Sequence, residues 1–383
     1  SDATPLLPMT AIGTPGESPG ETLPFSMPET PPPLPPPPSP WPTRILVLVI
    51  FLALAAALLA FLPIPWENLF SRDGPVPTTE APPPLLSREL RGHTGPVLAV
   101  AFAPGSELLV SGGRDRTIRL WEVDTGRQRF KLEDRESVWS VTVHPDGERI
   151  LTGSADGTVR VWRPGSKQSP QVVKLQSSPI RFVAVSPDGT LALSGGGQPL
   201  GVSDCKLRLW ELDSGQLRQE LEGHSRLVRG AFLPSGKEIV SGGSERLEKR
   251  WDLSGKELRQ VDLTDRVDEV TALAVAPDGQ TVALGGPAGV YLLPRSSENP
   301  PRSLRGPVQV SGLAFSPDGE TLAVGSTSKR VQLWSMKQGT LLADLGSHGD
   351  AVLSVAFAPN GRWVASAGAD GLVRLWEVPR RKP

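Results

Sequence analysis

An all-β fold of seven similar four-stranded sheets is what this sequence predicts, and three observations predict it. A turn element recurs at Pro104-Gly105, Pro145-Asp146-Gly147, Pro187-Asp188-Gly189, Pro234-Ser235-Gly236, Pro277-Asp278-Gly279, Pro317-Asp318-Gly319 and Pro359-Asn360-Gly361. Successive copies lie 41, 42, 47, 43, 40 and 42 residues apart. A short alternating apolar stretch precedes each turn, as in Val97–Phe102 and Val352–Phe357. A second strand, a tight turn and a third strand follow, and the third strand ends in Trp121, Trp162, Trp210, Trp251, Trp334 or Trp376. Asp-Gly pairs such as Asp156-Gly157 and Asp370-Gly371 supply the positive φ angles that two-residue hairpins need. A period near 42 residues with four short strands is the signature of a propeller blade, so residues 85–378 read as a seven-bladed β-propeller.

Residues 1–43 read as disordered. They hold no Lys or Arg and few branched aliphatic side chains, and the run from Pro31 to Pro40 is confined to extended polyproline II. Such a tract serves as a spacer or, less commonly, as a PxxP ligand. From Ile45 to Leu62 follow eighteen apolar residues without interruption. As a helix they would span about 27 Å, close to the hydrocarbon thickness of a bilayer. Trp41 and Trp66 bracket the run at the two interfaces, and nothing nearby is available to pack around a buried helix. A cleaved signal peptide fits poorly, because 44 residues precede the run and no basic n-region or small-residue cleavage site flanks it. The sequence therefore predicts one transmembrane helix over residues 44–66 and a single-pass membrane protein.

Arg44 is the nearest cation to the run, which favours the N-terminus inside and the propeller on the extracytoplasmic side. Ala53 with Ala57 and Ala56 with Ala60 offer a helix face for a homodimer, although alanine is common in such helices. A Pro- and Thr-rich linker spans 67–84, and a basic tail, 379–383, ends the chain. Because the chain starts at Ser1 rather than Met, it reads as a fragment of something longer.

The repeats resemble the WD-repeat family, and the resemblance covers residues 86–378. Six residues before the third-strand tryptophans stand Asp115, Asp156, Asp204, Glu245, Ser328 and Asp370. A Gly-His element appears at Gly92-His93 and Gly223-His224, and as Ser347-His348 in the last copy. The resemblance implies a buried hydrogen-bonded network of His, second-strand Ser, turn Asp and Trp within one repeat. Two repeats carry the whole set: His93, Ser111, Asp115 and Trp121, and His348, Ser366, Asp370 and Trp376. The fourth has His224, Ser241 and Trp251 but Glu245 for the aspartate; the second and third lack the histidine; the sixth has Ser328. The fifth has neither Asp nor Trp around residues 288–293 and is expected to be the loosest blade, relying on packing of Val290 and Leu292. The last repeat has no room for a fourth strand, whereas Leu86–Leu90 precedes the first Gly-His as residues 216–221 precede the one at 223. The strand after the linker should thus close the seventh blade and leave no free sheet edge.

Nothing in the sequence calls for chemistry. A net charge of −1 gives no basic field for nucleic acid, and the single Cys205 excludes a disulfide framework or a thiolate metal cluster. Three of the four histidines fall at the repeat's structural position and His144 sits beside a turn, so neither zinc nor acid–base work is indicated. The Pro-Asp-Gly aspartates occur one per blade, unlike the converging oxygens of a calcium loop. The Gly195–Gly201 insertion lacks a Walker lysine, and no nucleophile elbow or metalloprotease motif is present. No catalytic residue, cofactor or metal site is predicted.

Binding of other proteins or peptides is the expected activity. Members of the resembled family commonly bind across the face where the first strands begin. The matching positions here are Leu98, Trp139, Arg181, Arg229, Thr271, Ser311 and Leu353. Trp139, Arg181 and Arg229 stand in consecutive repeats with Arg114 near the rim of the first, and Trp and Arg dominate interface energetics. Against this, Trp139 packing within its blade and solvated arginines read equally well. Residues 1–84 hold two of the 40 basic and seven of the 41 acidic residues, so the propeller has a balance of +4. Three readings compete: a membrane-tethered interaction scaffold; the sensory C-terminal region of a larger receptor, whose layout resembles bacterial serine/threonine protein kinases ending in WD repeats; and a propeller hydrolase. The third requires carboxylates or histidines at the first-strand positions, and there are none.

Overall fold

A computed structural model of the chain describes residues 86–379, apart from 175, 198–203, 265–268, 297–300, 305 and 307–308. The proline-rich tracts, the apolar run and most of the tail lie outside the described residues. Among the described residues no helix is long and apolar enough to cross a membrane. These residues form 28 strands in seven four-stranded antiparallel sheets. In six sheets the four strands are consecutive. Each innermost strand contacts that of the next blade, and the last, Val352–Phe357, contacts the first, Val97–Phe102, so the ring is closed.

Closure takes the predicted route. Leu86–Leu90 is the outer strand of blade seven, pairing with Val373–Glu377 so that Glu89 faces Arg374 and Leu90 faces Val373. Arg374 then joins the two ends of the propeller, donating to Glu89 at 2.9 Å and to Asp370 at 2.7 Å.

Each blade has apolar side chains on both faces, so it is stable only between two neighbours. In blade one, Ile118 and Leu120 of the third strand pack against Val138 and Val141 of blade two. The second strands carry small residues where the next inner strand approaches. A methyl group on Gly112 would stand 2.5 Å from Val138 Cγ1, and one on Gly153 2.6 Å from Ile180 Cγ2. The bottom turns need a left-handed residue, and glycine fills that place at Gly147 and Gly361. Blade one departs from the pattern. Its glycine, Gly105, stands one residue early, and Ser106 adopts a φ of 65°. The Ser106 hydroxyl accepts the Asn360 N–H of blade seven at 3.0 Å.

The polar networks form where the complete sets were read, and in a third blade besides. His93 bonds Asp115 at 2.9 Å and Ser111 at 2.8 Å, and the Trp121 indole donates to Ser111 at 2.8 Å. His348, Asp370, Ser366 and Trp376 repeat this geometry. In blade four the longer Glu245 replaces the aspartate yet still bonds His224, while Ser241 takes His224 at 2.7 Å and Trp251 at 2.9 Å. The replacement leaves Glu245 Oε2 buried without a partner. The backbone of the histidine position hangs on the preceding blade, since the His348 N–H donates to the Lys329 carbonyl at 2.9 Å. The network is therefore also a staple between blades.

Where histidine is missing, three different solutions appear. Asp134 holds the place in repeat two and pairs with Arg160 at 2.7 Å, and Arg160 also holds Asp156 at 2.6 Å. Gln176 holds it in repeat three and bonds Arg208, so Ser194 Oγ and Trp210 Nε1 stay buried and unpaired. In repeat five, Leu263, Leu284 and Leu293 stand at the His, Ser and Trp places, all buried in one cluster. Blade five nevertheless has all four strands, although its inner strand, Ala272–Val275, and outer strand, Arg302–Leu304, are short. Exchanging every partner of a polar network for apolar side chains leaves no orphaned group behind.

Blade four carries the opposite exchange. Glu248 and Arg250 occupy the positions of Ile118 and Leu120, and they form a buried ion pair at 2.9 Å. Glu248 Oε2 has no partner among the described residues. Desolvating two charges offsets most of their attraction. Glu248→Leu combined with Arg250→Leu is therefore expected to leave stability unchanged or raise it by about 1–4 kcal/mol, whereas Arg250→Leu alone should cost about 3–5 kcal/mol. Denaturant titration of the three proteins reads this directly, and a double variant as weak as the single one would refute it.

The networks also set an acid limit. Burial holds His93 and His348 below the ordinary imidazole value of 6.5, against the pull of their aspartates. Burial alone would raise Asp370, but Arg374, His348 and the Gly349 N–H hold it at about 2. In both cases the unfolded chain binds the proton better, so stability falls with acid. The thermal midpoint is expected to drop as pH falls below 6.5. It should drop again from 3.8 toward about 2. His348→Gln should flatten the first drop, and a midpoint that stays constant between about pH 7.5 and 5.5 would exclude the histidines from it.

Candidate functional site

The seven positions read as a binding face line one cavity of about 180 Å³ at the centre of the ring: Leu98, Trp139, Arg181, Arg229, Thr271, Ser311 and Leu353. The residue before each, from Val97 and Val138 through Val270 to Val352, is buried between blades. In five blades a β-bulge falls at the site residue itself. The register shifts between Val97 and Ala99, Val138 and Ser140, Ile180 and Phe182, Val310 and Gly312, and Val352 and Ser354. The bulged residue is released from the ladder, and its side chain is re-aimed.

The cavity wall divides into three arcs. Blades two to four supply Trp139, Arg181 and Arg229. The Arg181 guanidinium lies 3.7 Å from the centroid of the Trp139 ring, a close cation–π stack. Arg229 donates to the Thr271 carbonyl at 3.2 Å and to the Arg181 carbonyl at 3.5 Å. Blades five and six supply hydroxyls that are already committed. Thr271 donates to Val310 O at 2.6 Å, and Ser311 donates to Val352 O. Blades seven and one supply the apolar Leu353 and Leu98.

Burial lowers the pKa of Arg181, and burial together with the Arg181 charge lowers that of Arg229 to about 10. Both remain cations at neutral pH. Among the described residues neither has a carboxylate within ion-pair distance. Glu269 is the acid whose field reaches Arg229, and it is held by the Ser244 hydroxyl at 2.8 Å.

Arg114 is not brought to this cavity. It is exposed on the turn between the second and third strands of blade one, where its carbonyl accepts the Ser137 hydroxyl at 3.3 Å. Its distance from the channel follows from that turn lying outside the inner strand. The cavity also has two hydroxyls that sequence reasoning did not single out, Ser140 and Ser354, which accept the Val183 and Val100 N–H groups. Their signal was a serine two residues after a buried valine in repeats two and seven. No group of three or more metal-ligating side chains occurs among the described residues.

A closed seven-bladed ring of four-stranded antiparallel sheets, with cationic, aromatic and apolar side chains at its axis, defines a β-propeller. The family described as WD domain, G-beta repeat matches residues 85–122, 126–163, 169–211, 298–335 and 339–377, just over half of the chain, and the chain belongs to that family. The stretch between the third and fourth matches holds blade four, with its buried ion pair, and the first three strands of blade five, with its apolar replacement, yet both blades fold as sheets.

Among similar proteins are two fungal proteins named nuclear distribution protein PAC1. That of Coccidioides posadasii is 26% identical over 317 residues, covering 80% of this chain and 62% of the relative. That of Arthroderma benhamiae is 26% identical over 303 residues, covering 76% and 52%. The cilia- and flagella-associated protein 52 of Chlamydomonas reinhardtii is 26% identical over 286 residues, covering 73% and 39%. The chain thus spans between 39% and 62% of the length of these relatives.

Proposed function

We propose that the propeller is an interaction scaffold that captures a protein partner on the channel face, through Trp139, Arg181 and Arg229, while the apolar run 45–62 holds it at a membrane. The observation that supports the capture site is the convergence of these three side chains on one cavity, from strands about 40 residues apart in sequence. An aromatic ring stacked by arginine, flanked by leucines, matches the residue types that anchor interfaces. The tether rests on the sequence alone: eighteen apolar residues between two tryptophans. By the position of Arg44, the propeller then faces the extracytoplasmic side. The receptor-kinase layout rests only on the order of the segments, and the relatives named above carry other titles.

Trp139→Ala combined with Arg181→Ala is expected to abolish crosslinking of the partner to the channel face while the circular dichroism spectrum stays unchanged. Normal capture by that folded double variant would refute the site. Deleting residues 45–62 should move the protein from the membrane fraction to the soluble one, and a deletion variant that stays with the membrane would refute the tether.

A further inference from the structure

The channel face holds two partly buried cations that form no ion pair among the described residues, and this is its chemically most specific feature. The Arg181 Nε and the Trp139 Nε1 are buried donors without a partner. Arg181 is flattened on the Trp139 ring, which fixes its guanidinium plane. Arg229, in the next blade, is fixed by two carbonyls, those of Thr271 and Arg181. Neighbouring like charges repel each other, and a planar anion bound between the two guanidinium groups would relieve that repulsion. A volume of about 180 Å³ admits a side chain rather than a strand or helix. Across the ring from the two arginines stand Leu98 and Leu353, so the opposite wall is apolar. A balance of only +4 over the propeller disfavours a polyphosphate backbone and leaves a single local anion as the fitting ligand.

Resting on the channel-face reading above, we infer that the partner's anchor is an acidic side chain of a peptide segment, its carboxylate received by Arg181 and Arg229 and an adjacent apolar side chain received by Leu98 and Leu353. Trp139 acts as the platform that orients Arg181.

The test is fluorescence anisotropy on the full chain with a labelled Leu-Glu-Leu-Glu peptide and its Leu-Gln-Leu-Gln counterpart. The glutamate peptide is expected to bind at least about tenfold more tightly than the glutamine peptide. Arg181→Gln and Arg229→Gln should each remove about tenfold of that preference, with little effect on the glutamine peptide, and Leu98→Ala should weaken both peptides. Arg181→Lys keeps the charge without the planar fork and should retain part of the preference, which separates loss of the anion site from loss of the fold.

Equal affinity for the two peptides, no binding of either, or an undiminished preference in Arg181→Gln and Arg229→Gln would overturn the inference. Complete displacement of the glutamate peptide by inorganic phosphate at equal concentration would also overturn it, because the site would then be one for a free anion. If the two peptides bind equally but both depend on Leu98 and Trp139, the channel-face reading stands and only the acidic anchor falls. If partner capture is also indifferent to Trp139→Ala with Arg181→Ala, both fall.

Discussion

Every blade of this protein is a thin sheet with two apolar faces, and only another blade can cover each face. An open row of seven would therefore end in two exposed faces and an unpaired strand edge. The pairing of Leu86–Leu90 with Val373–Glu377 removes both ends at once. Arg374 fastens it, bonding Glu89 from the start of the propeller and Asp370 from its last turn. Because Asp370 also holds His348, the closure and the seventh blade's polar network are one connected structure. The channel exists only because this ring closes, so the site at its axis depends on a strand pair at its edge.

Around the ring the blades are held together by different means. Blades one, four and seven use the buried His-Ser-Trp arrangement with an acid, which satisfies each donor in turn. Blade two replaces the histidine with an aspartate and an arginine, and blade five is apolar at all three places. The seam after blade four is the polar exception, with Glu248 and Arg250 placed where isoleucine and leucine pack after blade one. A charge pair in such a seam contributes less than the apolar contact it displaces, and it ties the register of the two strands to the presence of both partners. The family match skips the same region.

The channel face shows how repetition yields a site without a dedicated motif. One position per repeat, carried on bulges in five blades, brings seven otherwise unrelated side chains to the axis. The scaffold fixes where they sit; their chemistry is free to vary. Here the variation gives a cationic and aromatic arc opposite an apolar one, with committed hydroxyls between them.

The amino-acid sequence by itself determined the number of blades, their spacing, the closing strand and the two complete polar networks. The first three follow from local patterning, that is, turn residues, alternation and tryptophans at a fixed offset, and the networks from the resemblance to WD repeats. It also determined which residues line the central cavity, since one structural position per repeat is enough to find them. Only the tertiary structure decided how those residues meet. The stack of Arg181 on Trp139 and the placing of Arg229 against Thr271 join strands about 40 residues apart. Arg114, near the rim by sequence pattern, lies exposed on the turn between the second and third strands and does not line the cavity. The completion of blade four by Glu245, the left-handed Ser106 and the buried Glu248–Arg250 pair were equally out of reach of pattern. Pattern says which face a residue occupies, but the reach of a longer side chain and the company of a buried charge are set by neighbours the chain brings together only on closing the ring.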